Sequence, residues 1–451
     1  MADHTLATVD SIMSFLMYPF LFLSIYFQVF MLSNYFGGKK LMHIEDKLSK
    51  NYDQSYTPTV SFLIPCWNEG KTLASTLDSV IALKYPKDKI KIYIINDGST
   101  DNTLAIAQNY KEQLYKNKVL GLENITNKSC EIFILNKENG GKHTALNMAL
   151  PYVDTELVTC LDADSFVDHE AMIIAVQYFK DQNVKGLASC MQIKDTSTWI
   201  HKIQRIEYLL SIFWKKSYST IDAIQVVPGP FSIFRKSVFD DLGNYKPAHN
   251  AEDLEMTMRM HKHNYKIVNA HRAYVYTLGP DTLKGLIRQR VRWMRGFLDN
   301  AWDYREMFFK KKYGHFGLFT LPISTVFVFY VVFAISYTVY KTIVSLFKRY
   351  EEISIIGFRI PFNNLYNIEY FYINTSIMLF IVVFTLTVLS FVIFTSKQIA
   401  KDERPLIKHL ILYFFIYPFI VPIFTFKAVF GFLIRSKNKW ILQDNKPKYF
   451  I

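Results

Sequence analysis

Cysteine and charge are both scarce in this chain. Four Cys stand among 451 residues, at positions 66, 130, 160 and 190, with no CxxC pair and no His cluster beside them. That excludes a disulfide framework and a Cys/His zinc site, and fits reduced thiols in the cytosol. Charged residues make up 20% against 50% hydrophobic, a balance that rules out a disordered or collagen-like chain. The phosphate loop pattern GxxxxGK[ST] is absent, and so is any internal repeat. The charge that is present is lopsided: 52 Lys and Arg against 39 Asp and Glu give +13, which suits an anionic surface or substrate. Nucleic acid is not the expected partner, because the basic residues concentrate beside apolar stretches and form no open, aromatic-interleaved groove.

Four stretches lack Asp, Glu, Lys and Arg altogether: 11–38, 313–340, 370–396 and 409–426, the last followed by the apolar patch Ala428–Ile434. A helix crosses the hydrocarbon core with roughly 20 apolar residues, so the first three are expected to span a bilayer. The segment 409–434 carries Pro418 and Pro422 and is expected either to span or to turn back on itself, with re-entry preferred. No Lys or Arg precedes the first run, whereas Lys39, Lys40 and Lys47 follow it, which sets the N-terminus outside and residues 39–312 in the cytosol. The basic tail 435–451 then belongs on the cytosolic side, as the re-entrant reading requires.

Between the first two runs the texture changes to short β-branched runs alternating with amphipathic stretches. Thr59–Pro65, Ile90–Asn96, Glu131–Leu135 and Leu157–Leu161 read as strands of a mainly parallel α/β sheet over 39–280. Ligands of such sheets bind beyond the carboxyl ends of the strands, where Asp97-Gly-Ser-Thr-Asp101 and Asp162-Ala-Asp164 fall. Two carboxylates one residue apart on an extended segment point the same way and can share a divalent cation on a diphosphate. Alone, that pattern is weak evidence and reads more readily as a solvated strand end with a helix cap. Upstream, Asn139-Gly-Gly-Lys-His couples backbone donors to Lys142 near phosphate oxygens. Ala251-Glu-Asp253 opens a helix-periodic stretch, and its plainer reading is an acidic helix start. In Gln289-Arg-Val-Arg-Trp293, helical spacing puts Gln289, Arg292 and Trp293 on one face. The segment 281–312 around it is basic and amphipathic, as a helix lying on the cytosolic membrane face would be.

Taken in order, IPCWNEG, NDGSTD, NGGKHTALN, LDAD, VPGPFSIFRK, AED and QRVRW resemble the processive family 2 glycosyltransferases across about residues 58–296. The poly-N-acetylglucosamine and hyaluronan synthases of that family are nearest in size and layout. The resemblance implies a cytosolic GT-A (Rossmann-like) domain inserted between transmembrane helices, with amphipathic interfacial helices. It implies inverting transfer from a UDP-sugar, by preference UDP-N-acetylglucosamine, into a β-linked polysaccharide fed through the plasma membrane. Asp97, Lys142, Asp162, Gln289 and Arg292 become nucleotide-sugar contacts. Asp162 and Asp164 hold Mg²⁺ or Mn²⁺, and Asp253 becomes the general base. Gly229, Pro230, Glu252 and Trp293 line the acceptor site. The partners implied are the UDP-sugar, the growing polysaccharide and the lipid bilayer, with room for a small membrane accessory subunit. Two departures from the family pattern stand out: Asn96, where many members carry a first Asp, and Thr277-Leu-Gly-Pro280, where many carry Thr-Glu before the Pro. Two other readings keep parts of this pattern: a single-sugar transferase acting on a membrane lipid, and a non-catalytic membrane module of the same fold.

Overall fold

The computed structural model describes residues 2–38, 52–120, 130–357 and 377–435. Lys39, Lys40, Lys47, residues 370–376 and the tail beyond Arg435 lie outside the described residues.

The α/β part of the chain is built on eight strands: β1 Val60–Cys66, β2 Ile90–Asp97, β3 Glu131–Lys137, β4 Leu157–Cys160, β5 Ser165–Val167, β6 Val184–Ile193, β7 Ser232–Arg235 and β8 Lys266–Thr277. They form one sheet in the order β3-β2-β1-β4-β7-β6-β8-β5. The first four strands in that order pair in parallel, as a βα sequence requires. Beyond β4 the sheet is mixed, because β7 runs antiparallel to both β4 and β6. Successive residues of β1 serve opposite faces: Phe62 and Ile64 pack with Leu73, Leu77 and Val80 of α2 (Leu73–Ile81), while Leu63 joins the core on the other side. In the edge strand β3 only Ile132 is buried, between exposed Glu131 and Phe133. Helices α3 (Thr103–Leu120), α4 (Lys142–Ala149), α5 (Ala171–Val176) and α7 (Lys236–Leu242) fill the connections.

The second face of the sheet is where the fold meets its apolar helices. Helix α6 (Trp199–Ser219) lays Ile206, Leu209 and Phe213 into the core, and that core continues without a break to Met31 and Tyr35 of α1 (Ala2–Gly37) and to Val392 and Ile393 of α11 (Ile377–Ile399). Three helical stretches among the described residues, Phe316–Ile355, Leu379–Ile399 and Ile407–Leu433, are long and apolar enough to cross a membrane. They contain α10 (Leu321–Ile356), α11 and α12 (Ile407–Leu433). Phe380, Phe415 and Phe419 stay more than 70% exposed, a cost in water that lipid would remove.

The preference for re-entry at 409–434 is overturned. Ile407–Leu433 is one helix running through Pro418 and Pro422, and it does not turn back. The stretch after residue 280 also differs from a helix whose apolar side lies on lipid. Its α9 (Leu283–Asp303) buries Leu286 against Ile203 of α6 and Ile420 and Phe424 of α12, with Ile287, Val291 and Met294 packed around them. The amphipathic pattern is real, but most of its apolar stripe is covered by protein.

Candidate active site

The loops after β1 and β2 knit together first. Asn68 accepts from the Thr100 amide at 2.8 Å, the Glu69 amide donates to the Thr103 hydroxyl at 2.8 Å, and the Gly70 amide donates to Asp101 at 3.0 Å. A Cβ on Gly70 would stand 2.0 Å from Asn102 Oδ1, so a larger residue there would have to displace the Asn102 side chain. Asp97, buried at the end of β2, accepts from Lys137 Nζ at 2.6 Å and from the Gly140 and Gly141 amides at 3.0 and 2.9 Å. Its carboxylate thus shapes the Asn139-Gly-Gly loop that delivers Lys142. Asn96 bonds to Asn136 at 2.6 Å, which gives the departure at that position a structural partner.

Lys142, on the first turn of α4, reaches Asp162 at 2.5 Å and Glu252 at 3.5 Å. Burial opposes its charge, but Asp162, with Glu252 and Asp253 adding, holds the amine well above its ordinary value. Gly229 lies against this pair: a Cβ there would come within 2.6 Å of Lys142 Nζ and 3.6 Å of the Asp162 carboxylate. The Gly229 amide donates to Asp253 at 3.0 Å, and the Val227 amide donates to Thr257 at 2.9 Å. These bonds tie the VPGP segment to the start of α8 (Glu252–Lys262), where Asp253 also accepts from the Leu254 amide at 2.8 Å. Pro230 belongs to the same strap, its carbonyl accepting from Ser189 at 3.2 Å. Burial, followed by the neighbouring Glu252, raises the Asp253 carboxyl above its usual range.

Asp164 is pushed up to about 6, by burial first and then by Asp162. Glu69, to which the sequence reading gave no role, is pushed up to about 7 by burial and then by Asp164. Its signal was present in IPCWNEG, but only the fold brings that loop against the LDAD strand end. Among the described residues no three His, Cys, Asp or Glu side chains converge as a ready metal cage. Two carboxylates one residue apart are instead a donor set for a magnesium-like ion, which keeps waters and takes phosphate oxygens to complete its shell. Asp162 and Asp164 therefore fit a divalent ion that arrives with a diphosphate.

The QRVRW helix reaches the site by an unusually close approach. A Cβ on Gly296 would stand 2.7 Å from Ala251 Cβ, so α9 passes directly over the Ala-Glu-Asp turn. Ala248, His249 and Asn250 hold positive φ of 45°, 55° and 63°. Consecutive non-glycine residues in that region are strained, and α9 holds them: Asn300 donates to the Ala248 carbonyl at 3.0 Å and Arg292 to the Asn250 carbonyl at 3.0 Å. Gln289, Arg292 and Trp293 do not form one hydrogen-bonded set. Gln289 accepts from Arg290 at 2.5 Å, and Trp293, 38% exposed, stacks on Arg290 at 4.2 Å. The variant loop Thr277–Pro280 is pinned to α6, with Gln204 donating to the Pro280 carbonyl at 3.0 Å, and Leu278 is left 37% exposed.

A GT-A-like sheet with paired carboxylates, a lysine and an acidic helix start at its carboxyl edge defines a glycosyltransferase of family 2 type. Residues 58–296 match the family described as "Glycosyltransferase like family 2", and the chain belongs to it. Poly-beta-1,6-N-acetyl-D-glucosamine synthase of Staphylococcus aureus is 34% identical over 285 residues, 63% of this chain and 65% of that protein. The Staphylococcus epidermidis enzyme of the same name is 33% identical over 287 residues, with the same coverage. The match thus spans 65% of the length of these curated relatives. In fold, the chain resembles a mannosyltransferase of Pyrobaculum calidifontis solved in complex with GDP-Man and Mn²⁺, with a TM-score of 0.56 at 14% identity, covering 91% of this chain and 99% of that one.

Proposed function

We propose that this protein is a membrane-embedded, inverting, processive glycosyltransferase that polymerises sugar from a UDP-sugar, UDP-N-acetylglucosamine by preference, into a β-linked polysaccharide passed through the membrane. The observation that carries the reading is the convergence of Lys142, Asp162, Asp164, Gly229 and Asp253 at the sheet edge, beneath a QRVRW helix that is itself packed on an apolar helix. Similarity to the staphylococcal synthases supports the polymer and the sugar. Apolar helices on one side of the sheet support a multi-pass protein, with the catalytic domain on the cytosolic face of the plasma membrane and the polymer leaving on the other. A small accessory subunit would find room among the exposed helix faces.

In this mechanism Lys142, delivered by a loop that Asp97 shapes through the Gly140 and Gly141 amides, holds the diphosphate, and the close approach at Gly229 leaves space for the donor sugar. Asp253, its basicity raised by burial and by Glu252, takes the proton from the acceptor hydroxyl as that oxygen attacks the anomeric carbon. The carbon–oxygen bond to the diphosphate breaks on the opposite face, so the configuration inverts. A divalent ion on Asp162 and Asp164 would offset the charge that UDP carries away. Trp293 offers a flat apolar face to the acceptor end. The test is to incubate membranes containing the protein with a panel of UDP-sugars, with Mg²⁺, Mn²⁺ or chelator, and to size the product. A water-soluble polymer from one donor supports the reading; a single sugar on an organic-extractable lipid would replace it with lipid glycosylation, and no transfer from any donor would remove it.

A further inference from the structure

Trp293 and Gln289 are held in place by a network that ends in a helix read as membrane-spanning. Arg290, only 5% exposed, sits between them. Its Nε and Nη2 fork onto the Glu207 carboxylate at 3.0 and 2.8 Å, its Nη1 donates to Gln289 Oε1 at 2.5 Å, and its guanidinium plane covers the Trp293 ring at 4.2 Å. The hydroxyl of Tyr417, on α12, donates to the same Glu207 oxygen that Arg290 Nε uses. One guanidinium thus touches three side chains, and a guanidinium carries donors only. The Gln289 atom facing it must therefore be the carbonyl oxygen, which turns both amide hydrogens away from Arg290 and makes them available to a ligand. With the cation on one face of Trp293, its other face is left to stack on a sugar.

We infer that Arg290, Glu207 and Tyr417 are positioning residues which set Trp293 and Gln289 for the acceptor end, Gln289 serving there in place of the nucleotide contact that the family resemblance implies, so that the placement of α12 fixes the geometry of the acceptor platform. This rests on the polymerase reading above. A carboxylate in a fork with arginine has one favoured plane, and Tyr417 fixes that plane from the side of α12. Removing the hydroxyl leaves Glu207 free to rotate, Arg290 follows it, and both ligand-facing side chains lose their register. The nucleotide contacts around Lys142 and Asp162 share no bond with this network and are left unchanged.

The experiment uses the full chain in lipid nanodiscs, comparing wild type with Tyr417→Phe and Glu207→Gln. Apparent KM for an added acceptor oligosaccharide, kcat and UDP affinity are measured in the same preparations. Tyr417→Phe should raise the acceptor KM about five- to tenfold, with kcat and UDP affinity within about twofold of wild type. Glu207→Gln should raise the acceptor KM to a larger degree and also lower the melting temperature, because it takes the counter-charge from buried Arg290, while UDP affinity is kept. In a Trp293→Phe background Tyr417→Phe should have little further effect, as shared positioning requires. A second readout needs no turnover: in protein labelled with 5-fluorotryptophan, the Trp293 fluorine resonance, assigned by its loss in Trp293→Phe, should shift in Tyr417→Phe while the other resonances stay put. An unmoved resonance with an unchanged acceptor KM overturns the inference. So does a parallel fall of acceptor affinity, UDP affinity and melting temperature, which would mark the network as general scaffold. If the wild type transfers no sugar, the functional reading fails, and the fluorine resonance alone decides the network.

Discussion

The nucleotide side and the membrane side of this molecule treat buried charge in opposite ways. Around the sheet edge, carboxylates outnumber cations: Glu69, Asp164 and Asp253 are all raised above their ordinary range by burial and then by a neighbouring carboxylate, with Lys142 as the cation shared among their neighbours. Against the apolar helices Arg205 and Arg290 are matched by carboxylates, although Lys215 Nζ on α6 is buried without a hydrogen-bond partner among the described residues. Arg205, 1% exposed, donates to Asp402 at 2.8 Å, to the Pro405 carbonyl at 2.6 Å and to the Arg404 carbonyl at 2.9 Å, while Arg404 adds its own fork to Asp402. Burial acts to raise the Asp402 carboxyl, but the hydrogen bonds from Arg404 and Arg205 bring it down to about 2. The contrast separates a site from a scaffold. Charge left uncompensated in a cleft waits for a ligand, whereas charge fully paired fixes how elements dock.

The largest effect should come from breaking the paired side. Asp402→Asn leaves Arg205 buried without its counter-charge and loosens the loop that docks α11 and α12 onto α6. Losing one partner of a buried pair costs about 3–5 kcal/mol, so the purified protein should melt far below wild type while UDP affinity at low temperature is kept. A melting temperature within a degree or two of wild type would mean the pair is not structural. Next comes the uncompensated side. Asp253→Asn should bind UDP nearly normally yet transfer at least about a hundredfold more slowly, because a base acts only in the transition state. Steady-state rates beside equilibrium UDP binding check it; lost affinity with intact turnover would contradict the role. Asp164→Asn should cost about tenfold in metal-dependent transfer, and in chelator it should raise the melting temperature, because it removes a repelling charge from the fold. Opposite signs for stability at 164 and 402 are what the comparison requires.

The nucleotide side was the legible one. Its motifs are local, so the strand ends that carry Asp97 and Asp162-Ala-Asp164 and the helix start at Asp253 lie where short-range patterns put them. The membrane side was legible only as apolar runs. Glu207 and Tyr417 are 210 residues apart, and Arg205 and Asp402 are 197 apart. Nothing in either local sequence shows that a lone Glu in α6 must meet a Tyr in α12. For the same reason the amphipathic stripe of α9 read as lipid-facing: periodicity reports that a face is apolar but not what covers it. Pro418 and Pro422 suggested a turn, yet a helix with neighbours on several sides can carry prolines without reversing.

The smallest predicted effect sharpens where the two sides join. His261, near the end of the helix that Asp253 opens, is buried, donates to the Ile224 carbonyl at 2.8 Å, and stacks on Phe316 at 4.0 Å, where the chain enters the α10 stretch. Burial pushes its pKa down from 6.5 to about 4, only partly offset by that hydrogen bond. The sign follows from linkage. Between 6.5 and 4 the unfolded chain takes up a proton that the folded protein refuses, so stability is full above 6.5 and drains as the pH falls through that window. Between pH 7.5 and 5.5 the loss should be roughly 1 kcal/mol, a fall of a few degrees in melting temperature. His261→Gln keeps a donor for the Ile224 carbonyl but cannot titrate, so its melting temperature should be flatter over the same range. A variant whose acid sensitivity equals that of wild type would assign the pH response to other groups and leave His261 as a packing residue between α8 and the apolar helices.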